Sequence, residues 1–130
     1  MHHAYLCYNI AMDETFAAYL PHIRRRWLAE HAGWAARRQE ALAAATRVAD
    51  FLRQEFGAVE VIAFGSLVHD GVFDGRSDID LAVRGIPAAE FYRAYAAATA
   101  VSPQFDLDLI DLDACPQPLR ETILKEGQPI

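Results

Sequence analysis

The chain holds little cysteine and no long apolar run, and each absence excludes a class of protein. It has two cysteines, Cys7 and Cys115, without a Cys-x-x-Cys spacing. This excludes a thiolate zinc site and a disulfide framework, so we expect unpaired thiols in a reducing cytoplasm. No run of about eighteen uncharged apolar residues is present, so we expect no membrane-spanning segment. The opening residues MHHAYLCYNIA lack the basic start and apolar centre of a signal peptide.

Basic residues are also in the minority. The chain has 12 Lys and Arg against 18 Asp and Glu, which gives a formal net charge of −6. Loose binding to nucleic acid depends on Lys and Arg that neutralise phosphates, so we expect no direct nucleic-acid binding. Bound cations can reverse the local sign of the charge. A phosphorylated ligand held through metal ions is therefore still compatible with this composition.

The length and the hydrophobic content indicate one compact domain. With 130 residues, of which 53% are hydrophobic, the chain is long enough for one core and too short for two ordinary domains. We predict an N-terminal extension with a short helix over residues 1–21 and a single domain over residues 22–130. Asp13 is the expected N-cap of the short helix, and Pro21 is its expected end. Met12 is an alternative start of the protein.

A long helix is predicted over residues 22–56, with Gly57 as its stop. Its apolar stripe has the three- and four-residue steps of a helix and consists of Trp27, His31, Trp34, Ala41, Ala45, Val48, Leu52 and Phe56. The run Arg24–Arg26 and the pair Arg37–Arg38 alternate with glutamates. We interpret these arginines as a solvated helix face rather than as a phosphate-binding surface.

Strands and further helices follow the long helix. Short β-branched or alternating segments predict strands over residues 59–64, 78–84 and 105–112. Pro87 suits the first turn of a helix that runs through Ala98, and a last helix is expected over residues 118–126. We therefore predict an α/β (α+β) fold, in which a small mixed sheet of about three to four strands packs against helices.

The residues with the clearest chemistry surround the second predicted strand. Gly65 and Ser66 directly follow the first strand, whereas Asp78 and Asp80 share one face of the second. Gly65 lets the backbone approach a ligand, and Ser66 can offer its hydroxyl and its N–H to phosphate oxygens. Two carboxylates so close together are unfavourable without a cation between them. Mg²⁺ is a suitable cation because it prefers carboxylate and phosphate oxygens.

A third acid comes from the segment FDLDLIDL. Asp106 and Asp108 lie on the face that would continue the Asp78 and Asp80 side if the third strand pairs beside the second. One of these two acids would complete a site for two metal ions. One ion would activate the attacking oxygen, and the other would steady the triphosphate and the leaving pyrophosphate.

The order of these motifs resembles a known family. The segments FGS and RSDIDLAV resemble the signature of the polymerase-β-like nucleotidyltransferase superfamily, in particular of its minimal nucleotidyltransferase (MNT) proteins. The tail DLIDLDACPQPLRETILKEG also resembles the end of single-domain MNT proteins. The resemblance covers about residues 59–127. It implies transfer of a nucleotidyl group, usually from ATP, with Mg²⁺ (two ions) held by three acids.

Carried over by position, the resemblance assigns a role to individual residues. Gly65 and Ser66 match the nucleotide-binding pair that contacts phosphate. Asp78 and Asp80 match the catalytic, metal-binding pair, and Asp108 matches the third catalytic acid better than Asp106 does.

The loop between Ser66 and Asp78 departs from the family pattern. It contains eleven residues, one more than in many MNT proteins, which leaves the choice among ATP, GTP and CTP open. Within this loop, Arg76 could reach a phosphate or form a salt bridge with Asp74 or Asp70.

The resemblance also implies a partner. MNT proteins of this type resemble the antitoxin half of HEPN–MNT toxin–antitoxin pairs, in which the MNT protein adenylylates a tyrosine of the HEPN ribonuclease. We therefore expect AMP transfer from ATP to a HEPN partner encoded nearby, because the chain has no room for an acceptor domain. Two alternatives stay open: a module that neutralises its partner by occlusion, and an enzyme for a small hydroxylated molecule such as an aminoglycoside. Trp27 and Trp34 are candidates for a homo- or hetero-oligomer surface.

Overall fold

Three α-helices and four strands make up the part of the chain that this computed structural model describes, residues 14–69 and 71–130, with side chains from Leu20 onward. The predicted N-cap at Asp13 lies outside the described residues, as do Cys7 and Met12. The elements are α1 (Glu14–Phe56), β1 (Glu60–Phe64), β2 (Ile79–Arg84), α2 (Phe91–Thr99), β3 (Leu107–Asp111), α3 (Gln117–Glu126) and β4 (Gln128–Pro129). Each of the three predicted strands is found within its predicted segment.

The chain divides into two compact units, one that ends at Gly33 and one that covers Trp34–Ile130. In the first unit, Arg24–Arg26 are exposed, as predicted for a solvated helix face. Trp27 is also exposed. The sheet, α2 and α3 all belong to the second unit.

Helix α1 is more continuous than the sequence indicated. Pro21 lies inside it, so the prediction of a short helix that ends at this proline is wrong. A proline within a helix removes one backbone hydrogen bond and costs roughly 3 kcal/mol. The surrounding residues are rich in Ala, Leu, Arg and Glu, whose high helix propensity carries the helix across the proline.

Helix α1 ends where the sequence predicts. Gly57 adopts a φ of +72°, the left-handed conformation that glycine reaches without a steric penalty. Its N–H donates to the carbonyl of Arg53 at 3.2 Å, and the N–H of Ala58 donates to the carbonyl of Leu52 at 3.1 Å. These bonds satisfy carbonyls at the end of the helix and turn the chain toward β1.

The four strands form one mixed sheet in the order β3-β2-β1-β4. Strand β1 pairs antiparallel with both β2 and β4, whereas β2 and β3 are parallel. A parallel pair needs a crossover connection, and α2 provides it. The predicted mixed sheet of three to four strands with a long N-terminal helix is thereby confirmed.

The larger core lies on one face of the sheet, where α1 and α2 pack. The buried residues of α1 are small and follow helical spacing: Ala41, Ala44, Ala45, Val48, Ala49 and Leu52. Alanines at these positions let the helix axis approach the strands closely. Ile79, Leu81 and Val83 of β2 face this core, as expected for alternate residues of one strand.

The opposite face of the sheet carries a smaller core and then the acids. Its buried members are Ile62, Ala82, Leu112 and Ile123, the last of which comes from α3. Because side chains alternate along a strand, Asp80 lies on the same face as Ala82, two residues before it. The smaller core thus borders the acidic end of the sheet.

None of the helices in the described part of the chain is both long and apolar enough to cross a bilayer. The half-buried Cys115 is a free thiol.

Replacing Leu81 by Ala should destabilise the fold strongly, because Leu81 is fully buried in the central strand. Truncation of a buried leucine costs roughly 2–5 kcal/mol in the free energy of unfolding. The matched control is Leu124→Ala on α3, where the side chain is 49% exposed and the expected change lies within about 0.5 kcal/mol. Urea unfolding of both variants measures the difference, and similar losses would contradict the described core.

Candidate functional site

Three acids lie near one another at the end of the sheet where β1 ends and β2 begins. Phe64, the last residue of β1, pairs with Asp80, and Asp80 in turn pairs with Asp108 of the parallel strand β3. Cα partners in adjacent strands present their side chains on the same face. Asp78 directly precedes β2 and is exposed. The sheet register therefore brings Asp80 and Asp108 side by side, with Asp78 close to them in sequence.

Gly65 is in direct contact with Asp80. Its φ is +70°, and a Cβ at this position would lie 2.4 Å from Oδ2 of Asp80. Any side chain here would displace the carboxylate. The sequence predicted that Gly65 allows a close approach to a ligand, and the structure shows that it first allows the close approach of Asp80.

The charge of Asp80 is disfavoured by its surroundings. Its pKa is raised from 3.8 to about 6, first because burial disfavours the charged form and then because the Asp108 and Asp78 carboxylates repel it. No ion pair compensates these three acids within residues 14–69 and 71–130. The cluster therefore carries like charges that a cation would relieve.

The carboxylates do not form a closed metal cage as the side chains stand. In the described part of the chain, no three His, Cys, Asp or Glu side chains are close enough together to hold one ion. The donors nevertheless fit Mg²⁺ chemically, because they are carboxylates without a counter-charge at a place where glycine leaves room. Small rotations of the aspartates would be needed to bring them onto one cation.

Asp108 and Asp106 differ in their position. Asp108 is in register with Asp80 and raises its pKa. Asp106 precedes β3, and its backbone carbonyl accepts the N–H of Ile79 at 2.9 Å. The structure thus places Asp108 beside Asp80, in line with its assignment as the third acid.

Tyr95 of α2 lies beside the third acid, although the sequence did not indicate it as a site residue. Its hydroxyl lies 2.9 Å from the carbonyl of Leu107 and 3.3 Å from Oδ1 of Asp108. It can donate its proton to only one of them at a time. The pKa of Tyr95 is raised, mainly by burial. The Tyr95 hydroxyl therefore lies within hydrogen-bond distance of both the backbone of β3 and the carboxylate of Asp108.

The loop after Ser66 is anchored by its own residues. Phe73 is fully buried in the larger core. A tight turn follows, in which the N–H of Ser77 donates to the carbonyl of Asp74 and the N–H of Arg76 donates to Oδ1 of Asp74 at 2.9 Å. Arg76 therefore contacts Asp74 through its backbone rather than through a salt bridge, and Asp70 lies outside the described residues.

The interpretation of Arg37 and Arg38 as a solvated face is wrong. Nε of Arg37 donates to the carbonyl of Asp74 at 2.9 Å. Arg38 donates from Nε to the carbonyl of Ser66 at 3.3 Å and from Nη2 to the carbonyl of Gly71 at 2.7 Å. Charge alternation along the helix could not reveal these bonds, because their acceptors are backbone carbonyls of a distant loop.

Asp80→Asn should stabilise the metal-free protein at neutral pH. Since the folded pKa of Asp80 is about 6 and the ordinary value is 3.8, the folded state holds a proton that the unfolded state releases between these values. The wild type should therefore lose stability as the pH rises from about 4 to about 6. Asparagine removes this loss. Thermal melts in chelator at both pH values measure it, with the exposed neighbour Asp106→Asn as control, and an unchanged pH slope in Asp80→Asn would contradict the cause.

Gly65→Ala should disrupt the site beyond the effect of its backbone strain. Gly57→Ala is a matched control, because Gly57 has a similar φ of +72°, yet no atom lies within 4 Å of the position that a Cβ would take there. Both variants should lose roughly 1 kcal/mol or more of stability from the left-handed conformation. Only Gly65→Ala should also remove the loss of stability between about pH 4 and about pH 6, which the raised pKa of Asp80 causes. Equal effects of the two substitutions would show that the contact with Asp80 is unimportant.

Comparison with known proteins agrees with this geometry. Residues 46–130 match the family model described as polymerase beta, nucleotidyltransferase. No curated protein matches the chain significantly in sequence.

Solved structures share the fold. One, assigned as a minimal nucleotidyltransferase, is 27% identical, with a TM-score of 0.51 over 78% of this chain and 96% of that chain. The toxin–antitoxin MntA–HepT crystal structure is 18% identical, with a TM-score of 0.52 over 68% of this chain and 69% of that chain. A structure of tri-AMPylated Shewanella oneidensis HEPN toxin in complex with MNT antitoxin is 19% identical, with a TM-score of 0.52 over 68% of this chain and 70% of that chain.

The family match covers more than half of the chain and includes the glycine-serine bend and all three acids. The mixed sheet and its acidic end agree with this match. The chain therefore belongs to the polymerase beta nucleotidyltransferase family.

Proposed function

We propose that the protein is a Mg²⁺-dependent nucleotidyltransferase that transfers AMP from ATP to a tyrosine hydroxyl of a HEPN-type partner and thereby silences it. The observation that carries this proposal is the register of Asp80 with Asp108 beside the bend at Gly65. It joins acids from two strands in a chain whose family transfers nucleotidyl groups.

The bend binds the triphosphate in this proposal. Ser66 is half-buried, and its hydroxyl makes no hydrogen bond with another residue of the described chain. The hydroxyl and the backbone N–H of Ser66 are therefore available to phosphate oxygens. Gly65 keeps this surface free of a side chain, so that Asp80 can lie directly beside the proposed phosphate site.

Asp78, Asp80 and Asp108 would hold the metal. When bound, Mg²⁺ neutralises charge on the phosphates and on the leaving pyrophosphate, and it favours the deprotonated acceptor oxygen. The three carboxylates contribute the negative charge that attracts the cations, and the Tyr95 hydroxyl, 3.3 Å from Oδ1 of Asp108, can orient this carboxylate. The mutual repulsion that raises the pKa of Asp80 is relieved in that state.

The transfer itself exchanges one phosphorus–oxygen bond for another. The acceptor oxygen bonds to the α-phosphorus of ATP, while the bond between this phosphorus and the bridging oxygen breaks and pyrophosphate leaves. The proton of the acceptor hydroxyl passes to a carboxylate of the acid cluster or to solvent. The residues of the chain thus align the two oxygens and take up charge, and they form no covalent bond with the substrate.

The choice of partner rests on likeness to proteins of known assembly. Two of the similar structures are toxin–antitoxin complexes, and in one of them the HEPN toxin is tri-AMPylated. These structures share the fold of this chain. We extend their pairing to this protein as part of the proposal, with a small helical HEPN protein as the expected acceptor.

Asp80→Asn and Asp108→Asn should each lower AMP transfer by roughly a hundredfold or more, because the loss of a metal ligand costs several kcal/mol of transition-state stabilisation. The measurement is transfer of label from α-labelled ATP to the HEPN partner in Mg²⁺. Asp106→Asn is the matched control and should retain activity, since Asp106 precedes β3 and is out of register with Asp80.

Inhibition of the partner distinguishes catalysis from occlusion. If modification silences the partner, Asp80→Asn should lose both the label and the inhibition. An Asp80→Asn protein that still inhibits the partner fully, while wild type transfers no label, would contradict the proposal and favour a binding module.

A further inference from the structure

Two arginines of α1 reach across to the loop that follows β1. Arg38 bridges two points of this loop, the carbonyls of Ser66 and Gly71, through Nε and Nη2. Arg37 donates to a third point, the carbonyl of Asp74. The two side chains thus connect three points along the loop to consecutive residues of one helix.

The bond to Ser66 fixes the orientation of a peptide plane. In a trans peptide, the C=O of one residue and the N–H of the next point in opposite directions. With the Ser66 carbonyl turned toward Arg38, the N–H of Leu67 is directed away from α1. Leu67 is itself fully buried, so this peptide is held from both sides.

Both guanidinium groups stack on aromatic rings, which help to fix their positions. The Arg38 guanidinium lies over the ring of Phe73 at 5.4 Å, and that of Arg37 lies over the ring of Phe105 at 4.8 Å. Both rings are buried in the larger core. A planar group that stacks on an aromatic ring and forks onto two carbonyls is a role for arginine that lysine cannot fill equally well.

We propose that Arg38, supported by Arg37, positions the Gly65–Ser66 bend for nucleotide binding. This inference rests on the proposed function. Arg38 acts as a positioning residue in this proposal: its Nε and Nη2 donate to backbone carbonyls of the loop, and it affects the nucleotide through the loop rather than by contact. Without it, Ser66 would sample several orientations, and binding would have to restore the correct one.

The first experiment needs no nucleotide. Hydrogen exchange of backbone amides over residues 65–69 should speed up about tenfold or more in Arg38→Ala, because the opening of the loop becomes easier. Arg47→Ala is the matched control: Arg47 lies on the same helix, but it contacts the Ser102 hydroxyl at 3.4 Å in a different loop. Exchange over residues 65–69 should be unchanged in that variant.

The second experiment measures binding of Mg²⁺–ATP by calorimetry. Loss of a hydrogen bond from a charged donor corresponds to roughly ten- to a hundredfold in an equilibrium constant, so the Kd of Arg38→Ala should rise by about that factor. Arg38→Lys should give an intermediate Kd, because lysine keeps the positive charge but lacks the planar fork of donors and the stacking on Phe73. Arg47→Ala should bind as the wild type does.

The outcomes separate this inference from the proposed function. Wild-type affinity in Arg38→Ala overturns the inference alone, even if loop exchange becomes faster, because the arginine would then be only a structural tether. A wild type that binds no Mg²⁺–ATP overturns the proposed function and the inference with it. Should Arg38→Ala melt below the working temperature, Arg38→Lys and Arg37→Ala decide the matter by the same two measurements.

Discussion

Repulsion among carboxylates at one end of the sheet is the constraint on which the site depends. Asp80 lies in a half-buried position, opposite Asp108 and against Gly65, and its pKa rises to about 6 as a result. A fold keeps such a cluster at a cost in stability. The proposed binding of metal and phosphate would offset this cost, because a divalent cation between the carboxylates replaces their repulsion by attraction.

The rest of the fold serves to hold this end of the sheet in place. The parallel pairing of β2 with β3 sets the two acids side by side, and the crossover through α2 brings Tyr95 to the edge of β3. On the other side, α1 supplies the small residues that let it lie close to the strands, and it sends two arginines to the loop. Core packing and site geometry therefore share the same elements.

Local patterns predicted the strands, the end of α1 at Gly57 and the common face of the acids, because alternation and glycine conformation are properties of short segments. The sequence could place Asp108 beside Asp80 only on the condition that β3 pairs with β2, which the register satisfies. It could not foresee Arg38 or Tyr95 at the site, since both act through backbone carbonyls far away in sequence. The predicted helix end at Pro21 was wrong, because the helix propensity of the surrounding residues outweighs the effect of one proline.

The central claim is that three aspartates share divalent cations with a triphosphate at the glycine-serine bend. A crystal structure with Mn²⁺ and a non-hydrolysable ATP analogue tests it most directly, because manganese can be located by its anomalous scattering. We expect a manganese peak between Asp80 and Asp108, with Asp78 as a further ligand and the phosphates against Ser66. A triphosphate bound elsewhere, or carboxylates that stay apart with no metal between them, would contradict the claim.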